Sequence, residues 1–191
     1  MTASYKHEDL APLTKQGLYD PSFEHDACGV GLVAHIKGRK SHTIVTQGLE
    51  VLVNLGHRGA CGADPETGDG AGILIQMPHE FFAARCRDAG MSLPGPGSYG
   101  VGMTFLPPDP VQRRVCEQAV QEVVEQEGQT FLGWRDVPVS PDAIGTLAAK
   151  VRPVIRQFFV QRGEGPDSQS RFELKLYIVR KQIERAVSSL E

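Results

Sequence analysis

The chain has 191 residues, 40% of them apolar, which is enough for one domain to bury a core without disulfide or metal staples. Its 20 Lys and Arg against 23 Asp and Glu leave a formal net charge of -3, so it carries no basic field for phosphates and nucleic acid is disfavoured as a partner. No apolar run approaches the roughly 18 residues of a membrane span. The four cysteines, Cys28, Cys61, Cys86 and Cys116, lie 25 to 33 residues apart with no C-x-x-C pair. That spacing is unlike a zinc site or a secreted disulfide framework, so free thiols in a reducing, cytoplasmic compartment are expected, with no membrane and no metal.

The charge is concentrated at the start: residues 1–27 hold two lysines against five acidic residues, whereas residues 28–191 hold 18 of each sign. This leader lacks the cationic start and apolar middle of a signal peptide and the Arg-rich, acid-poor character of a mitochondrial presequence. Beyond it, residues 29–36 are apolar and Gly-punctuated, as in a buried strand. Ser41 then caps a helix whose apolar face is Ile44, Val45, Leu49, Leu52 and Val53, with Gly56 as its stop. Residues 71–77 read as a second buried strand. A helix over 79–89 ends at Gly90, and 99–106 alternates Val101, Met103 and Phe105 as a half-buried strand does.

The strongest local pattern is 109–127. Asp109 caps, Pro110 takes the first helical position, Gly128 stops the helix, and Val111, Val115, Ala119, Val120, Val123 and Val124 form its stripe. A strand follows over 153–161, then a polar loop over 163–170. Phe172, Leu176, Val179, Ile183, Val187 and Leu190 recur at three- and four-residue steps, predicting an amphipathic helix still running at the last residue, as in a cut chain.

Three places carry candidate chemistry. In EHDACGVG (24–31) a cysteine follows the acidic leader and opens the first strand. A lone Cys there is more often an inert core residue, but the neighbouring glycines allow other atoms to approach closely. In NLGHRGACGAD (54–64), His57 and Arg58 sit between glycines. A solvated loop explains them as well as a binding role does, although an Arg fork is well built to grip a carboxylate. TGDGAG (67–72) could suggest a phosphate cradle or, through Asp64 and Asp69, a cation site, but it lacks the Lys-Ser/Thr ending of a P-loop and the dinucleotide glycine spacing, so a tight turn is the better reading.

Taken together, Tyr19-Asp20-Pro21, the stretch 24–31, His57-Arg58-Gly59-Ala60 and 67–73 closely resemble, in order and spacing, the amino-terminal end of the glutamate synthase large chain. The resemblance continues through Gly133-Trp134-Arg135-Asp136-Val137-Pro138, 153–157 and 172–183, and so covers essentially the whole chain. It implies a class II glutamine amidotransferase domain of the N-terminal-nucleophile hydrolase type. The implied fold is α+β, a four-layer αββα sandwich, incomplete in this chain. Cys28 matches the nucleophile, residues 1–27 match a propeptide, 28–191 match the amino-terminal part of the domain, and Arg58 and Gly59 match the loop over bound glutamine.

The implied activity is the glutaminase half-reaction, releasing glutamate and ammonia for transfer to 2-oxoglutarate. FMN and an iron-sulfur cluster are implied for the full-length parent, none for this chain. The implied partners are glutamine, the remainder of the large chain and a flavoprotein small subunit. The family's second substrate-gripping Arg, its Asn-Gly oxyanion pair and its Asp lie further downstream, so the isolated chain is expected to be an inactive fragment. Two other readings compete. One is another class II amidotransferase, which would lack the insertion 61–70; the other is a non-catalytic remnant that binds glutamine or a partner.

Overall fold

The computed structural model describes residues 29–56, 67–68, 70–165 and 168–189. The chain divides into two compact units, one comprising Met1–Ala63 with Gly68–Ile73, the other Asp64–Thr67 with Leu74–Glu191. In the first, helix α1 (His42–Asn54) starts where Ser41 Oγ accepts the Thr43 N–H at 3.1 Å, satisfying one of the donors a helix start leaves free. In the second, helix α2 (His79–Asp88), strand β1 (Tyr99–Leu106), helix α3 (Pro110–Gln126) and strand β2 (Thr130–Asp136) are followed by a 3₁₀ turn at Pro141–Ala143. Helix α4 (Thr146–Val151), strand β3 (Val154–Gln161) and helix α5 (Gln169–Ser188) complete it.

The three strands form one antiparallel sheet in the order β1-β3-β2. Successive β3 side chains point to opposite faces, and both faces are covered. On one, Phe158 and Val160 pack with Val120 and Val124 of α3 and Val179 of α5. On the other, the fully buried Phe159 meets Phe82 of α2 edge-on, with ring centroids 5.5 Å apart. A strand buried on both sides reads as an unbroken apolar run, and Phe158-Phe159-Val160 at the centre of β3 is that run.

Sequence reading passed over β2, for a visible reason. Its register shifts between Phe131 and Gly133, so that Phe131 pairs with Val160 and Trp134 with Phe158. The bulge puts two residues three apart onto the same helix-covered face, breaking the period-two signal. Gly133 takes φ 144°, open to glycine and strained for other residues. Arg156 then ties three elements together: it donates to Asp136 at 2.6 Å and Glu117 at 2.7 Å and lies 5.3 Å from the Trp134 ring centroid.

Several expectations need correction. Residues 29–36 and 71–77 join no sheet ladder among the described residues, and Val30 and Leu32 are 92% and 89% exposed. Alternation specifies which side chains share a face, whereas a strand also needs a partner backbone, which local pattern does not supply. Helix α5 does not run to the last residue: it ends at Ser188 and is capped at Ser189, whose Oγ donates to Ala186 O at 2.6 Å. Its start at Gln169 lies inside the predicted loop, because Ser168 Oγ accepts from Arg171 N and sets the boundary. Helix α4 and the 3₁₀ turn had no counterpart in the sequence reading.

The α3 prediction holds at both ends, with Asp109 Oδ1 accepting from Val111 N at 3.0 Å and Gln112 N at 2.8 Å, and Gly128 at φ 72° after the last turn. Its stripe is only half covered. Val120, Val123 and Val124 are buried together with Cys116, but Val111 and Val115 are exposed. They border an open groove of about 1730 Å³ that follows β1, an edge strand among the described residues, between α3 and α5. Met103 and Phe105 are exposed as well, on the opposite face of β1, which α2 covers only near Tyr99. No described helix is long and apolar enough to cross a membrane.

Asp109 is the sharpest test of this layer. Replacing it by Ala should cost about 1 kcal/mol of unfolding free energy, while Asp109→Asn, which keeps an acceptor at the cap, should cost only a few tenths. Urea unfolding followed by circular dichroism measures both, and equal losses would show that the cap bond contributes nothing.

Candidate functional site

All three residues singled out for chemistry, Cys28, Arg58 and Gly59, lie outside the described residues, as do His57, Cys61, Asp64 and Asp69. What is described is the framework on either side of them. Helix α1 presents Ile44, Gly48, Val51 and Leu55 along one side, at helical steps of four, three and four, each at least partly buried. Leu49 and Val53, expected on that face, are exposed instead. The helix is rotated relative to the expected stripe because its contacts are made at Val51 and Leu55.

Those contacts come from the segment that follows Cys28. A Cβ added to Gly29 would lie 2.9 Å from Leu55 Cδ2, and one added to Gly31 would overlap Val51 Cγ1 outright. The two glycines are two residues apart and both turn toward α1, while Val30 and Leu32 between and beyond them are exposed. The side-chain alternation of a strand is therefore present without its ladder. Ile73 reaches the same helix, with its Cδ1 3.1 Å from where a Gly48 Cβ would stand. The glycines thus admit helix side chains, a use the sequence reading had only in the general form of close approach.

Polar groups that the sequence reading did not single out gather on the α2 face of the sheet in the second unit. His79 Nδ1 and Tyr99 Oη are 3.2 Å apart. Arg135 donates to Gln157 Oε1 at 2.7 Å and lies over the Phe81 ring, 5.5 Å from its centroid. Cys86 is fully buried nearby. Burial pushes its thiol above the usual cysteine range, with Arg135 working weakly in the other direction, and burial beside Cys86 likewise raises the Tyr99 hydroxyl. Each of these groups has a partner or an apolar wall, and a thiol held protonated is a poor nucleophile. Among the described residues no group of three or more His, Cys, Asp or Glu is placed to hold a metal ion.

The family model for class-II glutamine amidotransferases matches residues 28–191. The chain belongs to this family. The glutamate synthase [NADPH] large chain of Bacillus subtilis (strain 168) is 50% identical over 169 residues, covering 88% of this chain and 11% of that protein. The glutamate synthase [NADPH] large chain of Azospirillum brasilense is 41% identical over 180 residues, 94% of this chain and 12% of the relative. Ferredoxin-dependent glutamate synthase 2 of Synechocystis sp. (strain ATCC 27184 / PCC 6803 / Kazusa) is 38% identical over 188 residues, again 12% of its length. The chain therefore spans about an eighth or less of these curated relatives.

Within this member of the family, the burial of Cys86 and Cys116 predicts that both thiols stay silent. Brief treatment of the native protein with iodoacetamide at neutral pH should leave both unmodified, and unfolding should expose them. Peptide mapping by mass spectrometry reads the result, and rapid native modification of Cys86 would contradict its raised pKa.

Proposed function

We propose that this chain is the amino-terminal part of the glutaminase domain of a glutamate synthase large chain, that residues 1–27 are a propeptide, and that Cys28 is the nucleophile. The observation that carries this reading is where the family match begins: it opens at Cys28 and leaves out the whole acidic leader. Identity of 38% to 50% to glutamate synthases, over 88% to 94% of the chain, supports that class over other amidotransferases. It also supports the complete four-layer sandwich as the fold of the full domain. The described three-stranded sheet with α3 and α5 on one face would be one sheet and one helical layer of it.

Removal of residues 1–27 gives Cys28 a free amine beside its thiol. An α-amino group titrates near 7.7 to 8.0 and a cysteine thiol near 8.5, so the amine is a base matched to neutral pH. It takes the thiol proton, and the thiolate attacks the side-chain amide carbon of glutamine. The C–N bond breaks as the proton passes to the leaving nitrogen, releasing ammonia and leaving a thioester. Water then attacks the thioester carbon, freeing glutamate and restoring the thiol. Arg58 and Gly59 are the proposed contacts to bound glutamine, with the Arg fork suited to its α-carboxylate.

Ammonia would pass to the remainder of the large chain, where 2-oxoglutarate is aminated. The FMN and iron-sulfur chemistry implied there is assigned to no residue of this chain. A flavoprotein small subunit is the proposed protein partner, and the cytoplasm the proposed location.

In the full-length protein, amino-terminal sequencing should begin at Cys28, and Cys28→Ala should abolish glutamine-dependent glutamate formation while sparing synthesis from added ammonia. A glutamine-like diazo ketone should label Cys28. A working enzyme that retains Met1, or a label on Cys61, would overturn the assignment.

Arg58→Lys keeps the charge but not the planar fork. The loss should appear mainly as a raised KM for glutamine, by about tenfold or more for the 1.4 kcal/mol or greater carried by a charge-assisted pair. An unchanged KM would return Arg58 to a solvated surface loop.

A further inference from the structure

Gly31 has a steric role that its position in the chain does not announce. A Cβ there would overlap Val51 Cγ1, and Val is β-branched, so it cannot swing aside as a flexible side chain would. Two residues earlier Gly29 makes a looser approach, 2.9 Å to the end of Leu55, which can rotate away. Val51 and Leu55 are one turn apart on α1, so the segment is held at two successive points. Leu55 is also the residue that terminates α1, with its N–H bonded to Val51 O at 3.0 Å.

We propose that Gly31 is a positioning residue for glutamine hydrolysis, seating the segment that begins at Cys28 against Val51 and so fixing residue 28 relative to the last turn of α1. The inference rests on the reading of Cys28 as nucleophile. Residue 28 is three positions from Gly31 in sequence and one from Gly29, so only two residues separate it from the seat at Val51. A methyl group at residue 31 must push either its own segment or α1 outward, and either change shifts the backbone that leads to residue 28 relative to α1. Attack on an amide requires the reacting atoms at about 3–3.5 Å, and misplacement by about 1 Å costs on the order of 100-fold.

The test uses the full-length protein and counts active sites by diazo-ketone labelling. Gly31→Ala should lower glutamine kcat per labelled site by about 100-fold with KM shifted less than about threefold, and ammonia-dependent synthesis should persist. Gly29→Ala should cost less than Gly31→Ala, because Leu55 can move. Adding Val51→Ala to Gly31→Ala should recover most of the lost kcat by removing the methyl groups it strikes.

A lowered melting temperature with unchanged kcat per site would overturn the inference, as would a double variant no better than Gly31→Ala alone. If Gly31→Ala fails to accumulate, the double variant decides, since it must both fold and hydrolyse glutamine. Cys28→Ala run in parallel separates the two readings. Retained glutaminase activity there removes the nucleophile assignment itself, whereas its loss beside an unaffected Gly31→Ala removes only the positioning role.

Discussion

Burial of β3 on both faces is the constraint from which the rest of the second unit follows. Because Phe158 and Phe159 are adjacent on a strand they point opposite ways, and each needs an apolar cover. Phe159 is covered by α2 and Phe158 by Trp134 with α3 and α5. Both neighbouring strands must then pair with β3, which places it in the centre. The bulge in β2 is part of the same solution, since it brings Phe131 and Trp134 together on the Phe158 side. Removing the Phe159 side chain would leave a cavity between sheet and helix, a loss of about 3–5 kcal/mol for a Phe in such a position.

Charges hold the periphery of this core. Arg156 reaches from the central strand to Asp136 on β2 and Glu117 on α3, and Lys175 of α5 meets Glu127 at the end of α3 at 3.0 Å. The partly exposed members of these pairs are screened by water and contribute little each. Their value is geometric, fixing where the helices sit along the strands. The groove beside β1 shows where such cover stops, with Val111 and Val115 of α3 left exposed along it.

The first unit is organised by a different constraint, close approach. Gly29 and Gly31 leave room for Leu55 and Val51, so the chain before α1 meets the helix without side chains of its own, whereas Gly48 on the helix leaves room for the Ile73 side chain of the chain after it. A larger residue at any of these points would widen the spacing between α1 and its neighbour. Gly29, the first of these points, is one residue from Cys28 in sequence, where the family match opens.

Local signals were legible in the sequence at several places where a few neighbouring residues decide the outcome, though the Ser168 cap of α5 was not among them. Asp109-Pro110 opens α3 and Gly128 closes it, Ser41 caps α1, and β1 and β3 lie where their apolar runs put them. Cys28, Arg58 and Gly59 are proposed from order and spacing alone and lie outside the described residues. What depended on contacts distant in sequence was not legible. The rotation of α1 onto Val51 and Leu55, the bulge that hides β2 and the burial of Cys86 each depend on a partner elsewhere in the chain. Capping and turn chemistry act over about four residues, so sequence alone determined them. Register and helix rotation are set by which distant surface a side chain meets, and only the tertiary structure decided that.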